Sequence, residues 1–397
     1  MILAAFLLDF SVAVGLTAMP FFIVERIHGG AALSGSVGAI QMGLYAVGCL
    51  VSSRFVSSAR NGLYWALGGV GFFALLFSST WWAHDSVTCV LLSTLPFIGL
   101  ALAWPAMQSW LGQEPDLDVR ARHLAGFNMA TAFGFTLSPL VTGPLYDADF
   151  RLPFFLLLAL CVGVVALILS LMTGRTHAAA EEEASEGVAS ESFSRGLLYA
   201  SWAATFTANG LFAAVRSVYP VRVEALVREG SLNLIGSYRP AAFDAVGAAT
   251  AYSWLAFLLS LCTVLCFAVL GRTKAWQGRY WVLGAGQLAA GTAFVVLGYA
   301  HSLVAMAACF AVLGANCGLC FFASLYYSLA EAEGRHRRAA VNEGLLGAGG
   351  FAGGIGLGYA TEWFGITAAL QWGICVVLLA VAVQYFLLHG VRYKVAR

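Results

Sequence analysis

Apolar residues run in long blocks along the chain, separated by short clusters of charged and turn residues. The blocks predict helices near 2–24, 34–57, 62–82, 86–111, 123–146 and 152–174, and a second set near 196–220, 248–271, 278–300, 303–329, 338–363 and 366–389. Each is close to the roughly 20 residues that cross the hydrocarbon core of a bilayer. The run from Ile2 to Val24 has no basic segment ahead of it and is too long for a signal-peptide core, so it is expected to stay as the first span. Between the two sets lies Arg175 to Arg195, whose middle reads AAAEEEASEGVASES. That stretch is acidic, small and without an apolar face, which predicts a solvated tether.

The expectation is an all-α membrane protein of twelve transmembrane helices. It would comprise an N-terminal six-helix bundle (1–174), an acidic linker (175–195) and a C-terminal six-helix bundle (196–397). Charge orients it. With the N-terminus in the cytoplasm, Arg26, Arg151, Arg216, Arg222, Arg228 and Arg239 fall outside, and the other 15 of the 21 basic residues fall inside. That bias obeys the positive-inside rule. It puts both termini and the linker in the cytoplasm and the 221–247 segment outside, which suits a plasma membrane, a bacterial inner membrane in particular.

The two sets also repeat. Gly62-Leu-Tyr64-Trp65-Ala-Leu67-Gly68 matches Gly278-Arg-Tyr280-Trp281-Val-Leu283-Gly284 at an offset of 216. At an offset of 215, Gly99 meets Gly314, Gly134 meets Gly349, Gly143 meets Gly358 and Asp147 meets Glu362. For the first helix the offset is 200, pairing Pro20 with Pro220 and Asp9 with Asn209, so about 15 residues were gained within 221–247. Six helices repeated in parallel is an organisation found in secondary transporters.

Composition agrees and removes other classes. With 60% apolar and 10% charged residues, against about 25% charged in a soluble domain, lipid must cover the exterior. A net charge of +1, with most basic residues in or beside short loops between apolar runs, gives no nucleic-acid surface. All nine cysteines lie in apolar runs, and the Cys317-Gly-Leu-Cys320 pair lacks flanking ligands, so the reading is small packing residues rather than a redox or metal pair. No Ser-His-Asp set, metal-ligand cluster or HExxH sequence appears, so neither an enzyme nor a cofactor is expected.

Trp104-Pro105-Ala-Met-Gln108-Ser-Trp110, a charged loop, and Gly126-Phe-Asn128 lead into Gly134-xxx-Ser138-Pro139-xx-Thr142-Gly143. This stretch resembles helices four and five of the major facilitator superfamily, and the resemblance extends over essentially the whole chain. Ser138 and Thr142 stand where the antiporter-type pattern has glycine. Between the second and third helices the chain has Ser52-Ser53-Arg54 and then Arg60, without the Asp of the family's loop signature. The resemblance implies the twelve-helix transporter fold and a monomer that moves a small solute by alternating access. It also implies a central cavity lined by the first and seventh helices.

Few groups in the spans could carry chemistry. Asp9 lies 11 residues before Pro20, about 16 Å at helical rise, which places a carboxyl near mid-membrane. A charge there is costly and usually lines a cavity, and such a group can take up and release a proton once per cycle. The competing reading is a structural Asp bonded to a neighbouring helix. Glu343 follows Arg338 by five residues, which suits a rim ion pair or a gate held by loop arginines. The seventh helix carries Ser201, Thr205, Asn209 and Arg216 on one face, with Phe212 among them. This is a candidate substrate wall, unless Arg216 merely snorkels outward. Gln41, Trp104, Asn128, Tyr252, Asn316, Phe321 and Tyr326 are further cavity candidates, each of which could instead bond a neighbouring helix. Gly350, Gly354 and Gly358 form a small-residue ridge for close helix packing.

Two functional classes follow. One is a proton-coupled transporter, either exporting amphipathic compounds, for which the aromatic groups and single acid argue, or taking up a sugar or organic anion, to which Arg216 leans. The other is a transport-inactive signalling or assembly protein of the same fold that uses 221–247 as its partner surface.

Overall fold

A computed structural model describes residues 1–52, 59–111, 117–174, 195–329 and 335–395. The helices of the first set are α1 (Ile2–Glu25), α2 (Ala31–Ser52), α3 (Ala59–Ser78), α4 (Ser86–Thr94), α5 (Pro96–Leu111), α6 (Leu117–Ala148) and α7 (Leu152–Gly174). The second set is α8 (Arg195–Arg228), α9 (Ala248–Arg272), α10 (Tyr280–Tyr299), α11 (Leu303–Leu329), α12 (Arg335–Phe364) and α13 (Ile366–Val395). Apart from two short 3-10 turns, two isolated bridges are the only other regular pairing among the described residues. With α4 and α5 counted as one span, the fold is an all-helical membrane protein of twelve spans.

By length and composition, nine of these helical segments, α4 and α5 again taken together, qualify as membrane-crossing among the described residues. The other three, α6, α8 and α12, are the longest in their sets or close to it, at 32, 34 and 30 residues. A 30-residue helix runs about 45 Å, beyond the roughly 30 Å hydrocarbon layer. Glycines, hydroxyl and amide side chains and several charges make these three the least hydrophobic of the long helices.

Two boundaries differ from the sequence expectation, and each has a local cause. The 86–111 block is two helices. Pro96 has no N–H and its ring crowds the preceding turn, so α4 stops at Thr94. At the break, the buried Gln41 side chain donates from Nε2 to the Ser93 carbonyl at 3.0 Å. The seventh helix, by contrast, does not end at Pro220. It continues two turns to Arg228, because Val223 and Leu226 are fully buried and hold those turns in place. The linker, apart from Arg195, lies outside the described residues, as does much of the loop after α2.

The chain divides into two compact units, Met1–Ala184 with Gly247–Phe257, and Ser185–Val246 with Leu258–Arg397. Within the first, α1 packs chiefly on α6 and α7, and α3 on α5 and α7. Within the second, α8 packs chiefly on α12 and α13, and α10 on α13 and α11. The repeat read in the sequence therefore reappears as a repeated packing scheme. It is visible at single atoms. A Cβ added to Gly134 would overlap the Phe6 carbonyl oxygen, and one added to Gly349 would overlap the Phe206 carbonyl oxygen. Phe6 to Phe206 is the offset of 200 and Gly134 to Gly349 the offset of 215, so the same close crossing was built twice.

Candidate functional site

In the first unit, α1 supplies the embedded acid. Asp9 is half-buried and lies in the turn between Phe6 and Phe10, whose ring centroids are 5.8 Å apart. Its neighbour Ser11 is buried, donates to the Leu8 carbonyl at 2.7 Å and lies 3.3 Å from the Cys161 sulfur. The α1 backbone beside Asp9 is held against α6 at Gly134, where a Cβ would also come within 3.0 Å of the Phe10 nitrogen. The acid thus sits on a helix held closely on one side.

Four more first-unit candidates divide by exposure. Gln41 is buried and its amide is committed to α4. Tyr252, in the first turns of α9, is buried with its ring edge-on to Phe21 at 5.8 Å. Trp104 is half-buried and edge-on to Phe127 at 5.6 Å. Asn128, the next residue, is exposed.

In the second unit, the polar face of α8 separates into an anchored part and an accessible part. Thr205 is buried and donates to the Cys320 carbonyl of α11 at 2.8 Å. The Cys320 thiol in turn donates to Asn316 Oδ1 at 3.5 Å. Thr205 and Asn316 therefore share one polar seam between α8 and α11. One turn on, Asn209 is half-buried and donates to the Thr205 carbonyl at 3.0 Å. Arg216 is half-buried with its guanidinium carbon 5.6 Å from the Phe212 ring centroid, within the range of a cation–π contact. Asn209 and Arg216 are seven positions apart, about 10 Å along the helix, so one small solute could span them.

Phe321 stacks obliquely on Phe267 at 5.6 Å. Tyr326 is exposed and meets Trp276 edge-on at 5.1 Å. Glu343 is exposed on α12, one residue past the buried Asn342, whose Oδ1 accepts from the Ser324 hydroxyl.

Several polar pairings were not anticipated from sequence. Gln287 and Gln384, both fully buried, exchange two hydrogen bonds between α10 and α13 at 2.8 and 2.9 Å. Ser328 accepts at its hydroxyl from Trp202 Nε1 at 2.9 Å and at its carbonyl from Arg338 Nε at 2.8 Å, linking α8, α11 and α12. Asp147 accepts from the Thr250 N–H at 2.9 Å and so caps α9 in place of Gly247, which has no side chain of its own. A glutamine inside an apolar run was the available signal for the α10–α13 pair, the same signal that Gln41 gave. Among the described residues no group of three or more His, Cys, Asp or Glu side chains could hold a metal ion.

No protein-family model matches the chain, and no curated protein does. Solved structures do. A bacterial homolog to the human lysosomal transporter Spinster superposes with a TM-score of 0.75 at 15% identity, over 99% of this chain and 96% of that one. The POT family transporter PepTSo gives 0.75 at 13% identity, over 99% and 97%. The nucleoside transporter NupG gives 0.74 at 12% identity, over 97% of each. At that identity the likeness speaks to architecture, and it covers both units from end to end. The chain is an integral membrane protein with the major facilitator superfamily fold.

Proposed function

We propose that the chain is a secondary active transporter that moves a small solute by alternating exposure of a midplane site, coupled to protons through Asp9. The observation that carries this reading is that two repeat mates each carry half-buried polar groups, Asp9 on α1 in the first unit and the Asn209–Phe212–Arg216 face on α8 in the second. The structural neighbours named as transporters support the reading. Asn209 and Arg216 supply hydrogen bonds and charge, and Phe212 supplies an aromatic surface. Trp104, Asn128, Phe321 and Tyr326 are secondary candidates. Gln41, Thr205, Asn316 and Tyr252 are buried, and their role in this reading is to hold the helices that present the others.

Export of amphipathic compounds fits the aromatic content and the single acid. Uptake of an organic anion is the second reading, favoured by Arg216 over Phe212. In this reading the chain lies in a bacterial inner membrane with both termini cytoplasmic and 221–247 outside, as the distribution of basic residues favours. Proteoliposomes test the whole. A proton gradient should drive accumulation of the substrate, and Asp9→Asn should abolish that accumulation while sparing equilibrium exchange. Undiminished gradient-driven accumulation in the variant would remove Asp9 from coupling. Absence of transport for every solute class would favour a transport-inactive assembly protein. Arg216→Ala should weaken anionic substrates more than neutral ones if the second reading holds.

A further inference from the structure

The segment after α8 is an ordered module bound to a fixed place on the second unit. Leu232 is 1% exposed and pins it from beneath. The Arg239 guanidinium donates to the Gly230 and Leu232 carbonyls at 3.1 and 2.6 Å and closes the loop on itself. At its tip the Leu234 N–H donates to the Tyr238 carbonyl at 2.9 Å and the Tyr238 N–H to the Ile235 carbonyl at 2.8 Å. Gly236, at φ +53°, provides the left-handed residue that this turn needs.

The module is stitched to the joint between α10 and α11. The Asn233 N–H donates to the His301 carbonyl at 2.8 Å, and the Ser302 hydroxyl donates to the Leu234 carbonyl at 3.1 Å. The first two N–H groups of α11, at Leu303 and Val304, donate to the Asn233 and Leu234 carbonyls at 2.8 and 3.1 Å. Those donors have no partner within their own helix, so the module completes α11. The joint itself is only Ala300 to Ser302, between two helices that each qualify as a span. Three residues reach about 10 Å at most, so the joint lies at the membrane boundary, and the module bonded to it lies there too.

Its tip is apolar and uncovered. Ile235 is 55% and Tyr238 60% exposed, and so are Tyr299 at 60% and Val304 at 47% on the ends of the two spans that meet at the joint. Exposed apolar side chains along the spanning helix α10, Leu288, Val296 and Tyr299, form its lipid-facing side, and the module is bonded to the joint at the end of that helix. An aliphatic side chain beside a tyrosine is the chemistry of the headgroup layer, where an amphipathic ring has one end in hydrocarbon and the other in water.

We infer that the turn at residues 232–239 is a membrane-surface anchor, with Ile235 and Tyr238 seated in the headgroup layer of the bilayer around the α10–α11 joint. The occupant is lipid, not a protein partner.

Spin labels test this in the full chain reconstituted in phosphatidylcholine–phosphatidylglycerol vesicles, with the nine native cysteines replaced. Labels at 235 and at 238, placed one at a time so that the other side chain remains, are compared with a label at Glu229, in water, and at Val296, on the lipid-facing side of α10. At both tip positions collisions with a water-soluble nickel chelate should fall severalfold below those at Glu229. Collisions with oxygen should rise, giving a ratio between the two controls. Chelate access equal to that at Glu229 overturns the proposal, because the tip then stands in water. Exclusion of both reagents also overturns it, because protein then covers the tip.

Discussion

The closest helix crossing in the second unit makes a sharp prediction at Gly353. A Cβ there would overlap the carbonyl oxygen, carbonyl carbon and Cα of Gly210 on α8. All three are backbone atoms, so no side-chain rotation can make room, and α8 and α12 would have to separate by on the order of 1 Å to restore ordinary contact. On the same helix, Gly344 and Gly356 have nothing within 4 Å of the equivalent position. The three glycine-to-alanine changes are chemically identical, so the helix-forming gain of alanine, about 0.8–1.0 kcal/mol in water, cancels in the comparison. What remains is the overpacking cost at Gly353, about 1–3 kcal/mol. Gly353→Ala should therefore lose stability, while Gly344→Ala and Gly356→Ala should be neutral or slightly stabilising. Reversible unfolding in mixed micelles, followed by tryptophan fluorescence, would measure the difference. If Gly353→Ala unfolds at the same midpoint as Gly356→Ala, the backbones do not meet there and the account of the α8–α12 seam fails. Gly134→Ala should repeat the loss in the first unit, because the Phe6 and Phe10 backbone stands in the same relation to it.

Gln287→Leu strands the buried Gln384 amide and should cost about 1–3 kcal/mol. The double change to Leu should recover much of that in a double-mutant cycle, and additive losses would refute the pairing. Asp147→Ala removes the acceptor of the Thr250 N–H and should cost about 0.5–2 kcal/mol, as loss of a cap does. Gly247→Ala should speed amide exchange at Thr250 in the same way, because its Cβ would overlap the Asp147 carboxylate; unchanged exchange in both variants would exclude the cap. Hydrogen bonds from the Thr88 hydroxyl and N–H hold the Asp85 carboxyl below its ordinary range. A depressed acid contributes stability above its unfolded value and loses it as pH falls through the folded one. Amide exchange at the start of α4 should therefore accelerate, relative to that of α10, only at acid pH, and Asp85→Asn should flatten the dependence.

The spans and the repeat were legible because a bilayer demands long apolar runs and a duplicated packing scheme preserves its glycines. Gly134 and Gly349 could be matched from spacing alone, although the backbone atoms they meet could not be named. Pro96 and Pro220 show the limit of local rules. The same residue type breaks one helix and is absorbed by the other, because burial of Val223 and Leu226 beyond Pro220 compensates for the lost hydrogen bond. The candidate site was less legible. An embedded polar residue reads the same in a sequence whether it faces a cavity or a neighbouring helix. Only packing separates Gln41 and Thr205, which are spent on helix contacts, from Asn209 and Arg216, which are half-buried.

The joint before α11 has a counterpart in the first unit, and the two are finished differently. At the offset of 216 that aligns the preceding helices, Asp85 corresponds to His301 and Ser86 to Ser302. The earlier helix carries its own N-terminal cap, with Asp85 accepting from the Thr88 N–H at 2.9 Å. The later one borrows the Asn233 and Leu234 carbonyls for its opening donors. The longer connection after α8 is therefore not a spare loop that could be trimmed back to the length of the first repeat. Excising it would leave the Leu303 and Val304 N–H groups without their acceptors, while the Ser302 hydroxyl would still accept from the Ala305 N–H at 3.5 Å. A shortened chain would start α11 on that one longer bond, where the first unit has a carboxylate held at 2.9 Å.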